Sequence, residues 1–213
     1  MLSDMKVCDL LEKTASREPV PGGGSMSALA AAAAAGLVEM VANLTIGRKG
    51  FEAVEGEMQS ISREASRHRE RFTESIDRDS GAYAKVMEAF HMPKNTEMEK
   101  QARSQAIQDA LKLAAEVPLA VAEDVLALLP LGKSVIRRGN PNALTDGLVG
   151  VMLARSGALG ALRNVRINLD SIKDQAYVSK LSARVREMET LIVQMEKDIL
   201  ADAQSEKAEI SSG

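Results

Sequence analysis

Residues 19–46 read PVPGGGSMSALAAAAAAGLVEMVANLTI, and the rest of the chain is organised around this stretch. Its two prolines disfavour a helix before three consecutive glycines, which let other groups approach the backbone closely. Ser25 or Ser27 can cap the alanine-rich helix that we predict from about Met26 to Ile46. Free N–H groups at such a helix start favour an anion or a carbonyl oxygen. The simpler alternative is a loop that lets two backbones pack closely, because the glycine spacing matches neither the P-loop nor the dinucleotide-binding motif.

The composition favours one domain of close-packed helices. Of the 213 residues 45% are apolar but only 2% are aromatic, so Ala, Leu and Met must fill the interior. No Pro/Gly/Ser-rich linker divides the chain. We therefore predict an all-α fold over residues 1–213, a bundle of about six helices, several of them long, with close-packed Ala/Gly-rich helices. The polar residues from about 204 to 213 are expected to form a frayed tail.

Charge and cysteine content argue against several classes of partner. The net charge is −3 and the basic residues are scattered, so nothing indicates a nucleic-acid surface. Cys8 is the single cysteine, which fits a reducing cytoplasm. The apolar stretch Met26–Ile46 is nearly long enough to cross a membrane, but Glu39 and Asn43 interrupt it. Charged residues near the start argue against a signal peptide, and we expect a cytoplasmic protein with no membrane partner.

Apolar residues at spacings of three and four predict five further helices. The first covers residues 3–16, and the third and fourth in chain order cover about 52–90 and 96–129. The fifth begins at Asn140, where asparagine at the cap precedes a proline in the first helical position. The sixth begins near Asp170.

Two prolines in the fourth helix and an apolar stripe on the sixth leave open where the fourth helix ends and what the sixth packs against. Pro118 should kink or break the fourth helix, and Pro130–Lys133 should form a turn before a short helical piece that ends at Arg138. The sixth helix carries a heptad-like apolar stripe from Val178 to Ile199. This stripe can pack in the bundle or against a second subunit.

Asp79 is the most unusual single residue, because it continues the apolar stripe of the third helix. An ionised carboxylate is costly on such a face unless it is paired. Asp79 is therefore either a structural acid bonded to a facing helix or a functional acid with a raised pKa. His68 shares the stripe, but His91 is the only other histidine and no HExxH pattern occurs. We expect a core histidine at position 68 and no metal site.

The stretch GNPNALTD at 139–146 is the second informative one. Asn142 and Asp146 lie four apart and share a helix face, where an acid also gains from the helix dipole. A stabilised first turn and a catalytic acid both remain open. Asn164 and Asn168 form another polar pair near the far end of the same helix. Between the two pairs, small residues at spacings of three or four predict close packing against the alanine face of the second helix; they are Gly147, Gly150, Ala154, Ala158 and Ala161.

Seven short motifs follow one another along the chain: PVPGGGS at 19–25, MVANLTIGRK at 40–49, DSGAY at 79–83, MPK at 92–94, EVPL at 116–119, GNPN at 139–142 with Asp146, and NVRIN at 164–168. In this order they resemble the formiminotransferase-cyclodeaminase C-terminal family. Val20 stands where threonine is commoner and Thr145 where serine is usual, and neither change removes an ionisable group. The sequence carries no transferase domain, so we expect a stand-alone folate enzyme.

The resemblance implies an all-helical homodimer or larger oligomer that acts on the carbon bridging N5 and N10 of tetrahydrofolate. A cyclohydrolase opens the methenyl ring with water to give 10-formyl-tetrahydrofolate. A cyclodeaminase closes that ring from 5-formimino-tetrahydrofolate and releases ammonia. A tetrahydrofolate derivative is then the substrate, and neither reaction needs a metal or redox cofactor. The competing interpretation is a non-enzymatic helical module for oligomerisation or binding.

The residues supply suitable groups for this chemistry. An inward-facing acid can move the proton, with burial setting its pKa. Asparagines can orient the pterin edge or a water molecule, the glycine-loop amides can hold a carbonyl or an anion, and Lys49 with Arg48 can meet the glutamate tail. The candidate catalytic residues are Asp79, Asp146 and Asn142, and the candidate substrate-binding residues are Gly22, Gly23, Gly24, Ser25, Asn43, Lys49 and Asn140.

Overall fold

In the computed structural model the described residues form six α-helices and no strand, which confirms the predicted all-α fold. The structure describes residues 1–211, with side chains described through residue 204, so the predicted frayed tail lies outside the fully described part. Short 3-10 turns precede α1, α3 and α5. The helices are α1 (Val7–Thr14), α2 (Gly23–Asn43), α3 (Glu55–His91), α4 (Glu97–Arg138), α5 (Leu144–Leu169) and α6 (Gln175–Ser211).

Helices α2 to α5 form a four-helix bundle in which successive helices run in opposite directions. Ser25, near the start of α2, bonds to Asp79 of α3, whereas Asn43 at the end of α2 accepts a hydrogen bond from Ser62. Helix α4 returns beside α3, and α5 runs back along both α2 and α4. Helix α6 packs on the outside of α4 and α5. The α2 helix thus packs against α3, α4 and α5, and one of its faces remains open to solvent.

The predicted contact between the small residues of α5 and the alanine face of α2 is confirmed. A Cβ at Gly157 would lie 2.8 Å from the carbonyl oxygen of Ser27 and 3.0 Å from the backbone nitrogen of Ala31. Gly150 meets Leu37 and Ala34 in the same way about two helical turns earlier in α5. The two backbones are therefore closer than any larger side chain would allow.

The predicted turn at Pro130 is wrong, because α4 continues without interruption to Arg138. Nor does the helix break at Pro118, which is buried in its interior. A proline inside a helix costs about 3 kcal/mol, but the buried stripe of α4 runs on past Pro130 through Gly132 and Val135. Pro130 itself lies on the exposed face, so the carbonyl that its ring displaces can bond to water. Burial of the long stripe outweighs the local penalty.

The ends of other helices also differ from the prediction. The predicted helix 3–16 is divided, because Asp77 of α3 accepts hydrogen bonds from the backbone N–H groups of Leu2 and Ser3 and holds them in a separate turn. Helix α2 starts at Gly23, within the glycine run rather than after it. Helix α6 starts at Gln175, where Asp174 accepts a hydrogen bond from the N–H of Tyr177.

Packing decides the alternative that the sequence left open for α6 and confirms the prediction for His68. The stripe of α6 packs within the chain, since Val185, Met188 and Ile192 are fully buried. His68 is a buried core histidine, as predicted, stacked on Phe72 and bonded through Nδ1 to Arg71. Among the residues whose side chains are described, no group of three His, Cys, Asp or Glu residues is placed to hold a metal ion.

By length and composition alone, α2 is also apolar enough to cross a membrane. In this fold, however, 56% of its most apolar window is buried among the other helices. The alanine run therefore forms the centre of the bundle.

Candidate active site

A cleft of about 310 Å³ opens where α2 begins. The loop Pro19–Gly24 forms one wall, and α3 contributes Asp79 and Tyr83. Helix α4 closes the floor with Leu111 and Ala114. The C-terminal part of α5 forms the remaining wall with Asn164, Ile167 and Asn168.

Asp79 sits directly above the first turn of α2. A Cβ at Gly24 would lie 2.0 Å from its Oδ1 atom, so only glycine admits the carboxyl group here. The hydroxyl of Ser25 lies 2.8 Å from Oδ2 of Asp79 and 3.0 Å from the carbonyl oxygen of Ile76. This contact makes Ser25 the bridge between α2 and α3 at the cleft.

Burial raises the pKa of Asp79 above its usual range, and hydrogen bonds from the hydroxyl and backbone N–H of Ser25 oppose that rise only in part. Asp79 has no ion pair among the described residues, so its charge is stabilised by neutral donors alone. Asp79 is therefore bonded to the facing helix and also carries a raised pKa. Both features that the sequence left as alternatives are present together.

The start of α2 offers further donors to the cleft. Gly22 is the N-cap and supplies no side chain to the free N–H groups of the first turn. Gly23 and Gly24 line the cleft, so their backbone faces whatever occupies it. The positive end of the α2 dipole adds to this preference for a carbonyl or an anion.

Asn164 and Asn168 belong to this cleft, although the sequence did not place them among the site residues. Asn168 donates through Nδ2 to the carbonyl oxygens of Ala114 and Asn164, at 3.0 and 2.9 Å. Asn164 donates through Nδ2 to the carbonyl oxygen of Gly160 at 2.9 Å. Each side-chain nitrogen thus donates to a backbone carbonyl oxygen, and both side chains line the cleft. Their spacing of four residues was the sequence signal.

The other predicted residues lie at the opposite end of α2. Because Gly23–Asn43 spans 21 residues, about 30 Å of helix separates the two ends. Asn140 is buried and ties α5 to this far end, donating to the carbonyl oxygen of Leu44 at 3.2 Å and accepting from the N–H of Asn142 at 3.0 Å. Within one chain the remaining predicted site residues therefore do not line the Asp79 cleft. We refer to them as the far-end cluster, which consists of Asn43, Lys49, Asn140, Asn142 and Asp146.

Comparison with known proteins identifies the family. The protein-family model described as formiminotransferase-cyclodeaminase matches residues 6–187 of this chain. The chain belongs to this family.

Relatives within the family carry two names. A methenyltetrahydrofolate cyclohydrolase of Methylorubrum extorquens is 38% identical over 184 residues, covering 86% of this chain and 87% of the relative. The formimidoyltransferase-cyclodeaminase of Mus musculus is 33% identical, and the match covers 34% of its length, so the chain spans about a third of that protein. The crystal structure of formiminotetrahydrofolate cyclodeaminase from Thermotoga maritima matches with a TM-score of 0.85 and 29% identity, covering 96% of this chain and 98% of that one.

In this member of the family the Asp79 cleft continues into an open groove. Helices α3 and α4 extend past the start of α2 as a hairpin, joined by a loop after His91. The groove along this hairpin holds about 630 Å³ and shares Val20 and Tyr83 with the cleft. Met87 and Met92 also line it. An elongated ligand with one end in the cleft can therefore lie along α3.

Proposed function

We propose that this protein is a folate-dependent one-carbon enzyme acting on the carbon that bridges N5 and N10 of tetrahydrofolate. The reaction is either methenyltetrahydrofolate cyclohydrolysis or formiminotetrahydrofolate cyclodeamination. The observation that carries the proposal is the cleft where half-buried Asp79, with a raised pKa, faces the backbone amides at the start of α2. Cyclohydrolysis is the first reaction to test, because the relative of that name is 38% identical over most of both chains.

Asp79 acts as the proton carrier in either direction. In cyclohydrolysis it takes a proton from water as the oxygen bonds to the methenyl carbon, and it returns the proton to N5 as the carbon–N5 bond breaks. The hydroxyl proton leaves to solvent, which yields 10-formyl-tetrahydrofolate. In cyclodeamination N10 attacks the formimino carbon, and Asp79 passes the N10 proton to the departing ammonia. A carboxyl group with a raised pKa suits both steps, because it must gain and lose a proton near neutral pH.

The polar groups of the cleft match a reduced pterin. The amides of Gly23 and Gly24 are donors for the pterin carbonyl oxygen, and the side-chain oxygens of Asn164 and Asn168 are acceptors for its N–H groups. The cleft suits a bicyclic ring in size, since ligand sites commonly start at about 300 Å³. The p-aminobenzoyl group then extends into the groove beside Tyr83. We propose a tetrahydrofolate derivative as the substrate and no bound metal or redox cofactor.

The test follows the absorbance of the methenyl chromophore by stopped flow with purified protein. One reaction starts from 5,10-methenyl-tetrahydrofolate and the other from 5-formimino-tetrahydrofolate with an ammonia assay, and spontaneous reactions are subtracted. Enzyme-dependent loss of absorbance in the first identifies a cyclohydrolase, and its appearance with ammonia in the second identifies a cyclodeaminase. Asp79→Asn should lower the active reaction by roughly 100-fold or more. Silence of the folded wild-type protein in both reactions contradicts the proposal and favours the non-enzymatic module.

A further inference from the structure

The side chain of Ser25 is fully buried between α2 and α3, and Ser25 does not line the Asp79 cleft. Its hydroxyl group is therefore not placed to contact a substrate, although the sequence put Ser25 among the candidate substrate-binding residues. The neighbouring Gly23 and Gly24, by contrast, do line the cleft. Because a polar group is costly to bury without partners, the contacts of the Ser25 hydroxyl must account for its position.

Two acceptors compete for the single proton of this hydroxyl group. Oδ2 of Asp79 lies 2.8 Å from Oγ of Ser25, and the carbonyl oxygen of Ile76 lies 3.0 Å from it. Both distances suit a hydrogen bond, but one hydroxyl donates to only one acceptor at a time. The hydroxyl of Ser80, 3.2 Å away, can donate to Oγ of Ser25 in either orientation. The Ser25 proton can therefore turn from one acceptor to the other without losing a hydrogen bond.

The charge on Asp79 decides which acceptor is stronger. A hydrogen bond to an ionised carboxylate is about twice as strong as a neutral one, so the ionised Asp79 outcompetes the carbonyl of Ile76. Once Asp79 is protonated that advantage is lost, and the amide carbonyl is the better acceptor. No Lys, Arg, His or Glu is found among the described residues that line the cleft, and Tyr83 is the only other titratable side chain there. Within the cleft, the protonation of Asp79 itself therefore controls the choice.

We infer that the Ser25 hydroxyl is a rotor that follows Asp79, donating to the carboxylate when Asp79 is ionised and to the Ile76 carbonyl when Asp79 is neutral. Ser25 is thus a positioning residue, because it acts on the reacting carboxyl group and its own proton is never transferred to the substrate. This inference rests on the proposed function, in which Asp79 gains and loses a proton in every cycle. A fixed donor would favour the ionised form only, whereas the rotor keeps a hydrogen bond in both states.

The movement of this proton can be observed without a substrate. Carbon-13 NMR of protein labelled at the aspartate carboxyl and isoleucine carbonyl carbons follows both acceptors as the pH is changed, and Asp79→Asn and Ile76→Val assign the two signals. In the wild type, the Ile76 carbonyl signal should shift with the same midpoint as the Asp79 carboxyl signal. In Ser25→Ala the Ile76 shift should be largely lost, and the Asp79 midpoint should move to higher pH because the carboxylate has lost a donor.

Kinetics measure what the rotor contributes to the reaction. Asp79 must be ionised to take up a proton in either proposed reaction, so kcat should rise with pH through the pKa of Asp79. Ser25→Ala should move this rise to higher pH and lower kcat at pH 7 by roughly 10-fold, the size expected for one lost hydrogen bond to a charged group. KM should be unchanged, because the Ser25 hydroxyl is buried away from the cleft.

Ser27→Ala is the matched control. It removes a second buried hydroxyl from the same helix, one that donates to the carbonyl oxygen of Gly23 at 2.6 Å. Its NMR titration and its pH profile should match those of the wild type. If Ser25→Ala does not fold, Ser25→Cys takes its place, because a thiol fills a similar space but is a weak donor. It should show the same changes to a smaller extent.

The outcomes separate this inference from the proposed function. An Ile76 carbonyl signal that does not titrate with Asp79 in the wild type, or that titrates unchanged in the Ser25 variant, overturns the rotor while the folate activity stands. A higher KM with an unchanged kcat also overturns it and makes Ser25 a substrate-binding residue. A wild-type protein that shows the coupled titration but acts on neither folate supports the rotor and overturns the proposed function instead.

Discussion

Asp79 is held in the cleft by groups that stabilise its charge only in part. Ser25 donates to the carboxylate from its hydroxyl and its backbone, but burial has the larger effect and the pKa is raised. The folded protein therefore holds the Asp79 proton more tightly than the unfolded chain does. Below the usual carboxyl pKa of 3.8, Asp79 is protonated in both the folded and the unfolded protein, so it has no charge that would lower the free energy of unfolding. As the pH rises through the raised folded pKa, ionisation of Asp79 destabilises the fold.

Replacement of Asp79 by asparagine should consequently stabilise the protein at neutral pH. The asparagine amide has a shape similar to that of the carboxyl group and does not ionise in the cleft. The melting temperature of the variant should therefore exceed that of the wild type at pH 7. The two temperatures should converge below about pH 4, where the wild-type carboxyl group is protonated. Thermal unfolding followed by circular dichroism across this range measures the difference. An Asp79→Asn protein that is less stable than wild type at pH 7 would show that the carboxylate is mainly structural.

Gly24 is the residue that makes room for Asp79. Alanine at this position should displace the carboxyl group and lower activity by roughly 100-fold, because the new Cβ would stand 2.0 Å from Oδ1. Gly81→Ala is the matched control, since a Cβ at this exposed helical position meets nothing within 4 Å. The control should keep its activity and gain about 0.5–1 kcal/mol of stability. Equal activity of the two variants would mean that Asp79 does not act from its present position.

At the scale of the helices, the contact between α2 and α5 determines how closely the bundle packs. Gly157→Ala should push the two helices apart and lower the free energy of unfolding by about 1–3 kcal/mol, because the new Cβ meets backbone atoms that cannot turn aside. Gly56→Ala on α3 is the control, where open space surrounds the new methyl group. Urea unfolding of both variants gives the comparison. A Gly157→Ala protein as stable as this control would contradict the close backbone contact.

The helices also show which structural features can be predicted from local sequence patterns. Spacings of three and four predicted five of the helices, the glycine run before the alanine-rich stretch predicted α2, and the small residues of α5 predicted its contact with α2. The predicted turn at Pro130 is wrong, because the free-energy cost of a single proline in a helix is smaller than the gain from burying the stripe that continues on both sides of it. Local propensity is a weak guide wherever a long helix is buried on several sides, because tertiary packing supplies most of helix stability.

At the scale of the whole molecule, the length of α2 decides which residues can act together. Its two ends carry the two polar clusters, and the bundle holds them about 30 Å apart within one chain. The far-end cluster therefore does not line the Asp79 cleft of the same chain.

The sequence by itself determined that this protein is a helical bundle, that a glycine run leads into an alanine-rich helix, and that Asp79 lies on an apolar face. These properties depend on residues close together in the chain, and helical periodicity makes them visible. Only the tertiary structure decided that Asp79 contacts Ser25 at the start of α2 and shares a cleft with Asn164, while Asn140 and Asp146 lie at the other end. Periodicity specifies which face of a helix a residue occupies, but the distance between residues on different helices depends on the direction and register in which those helices pack.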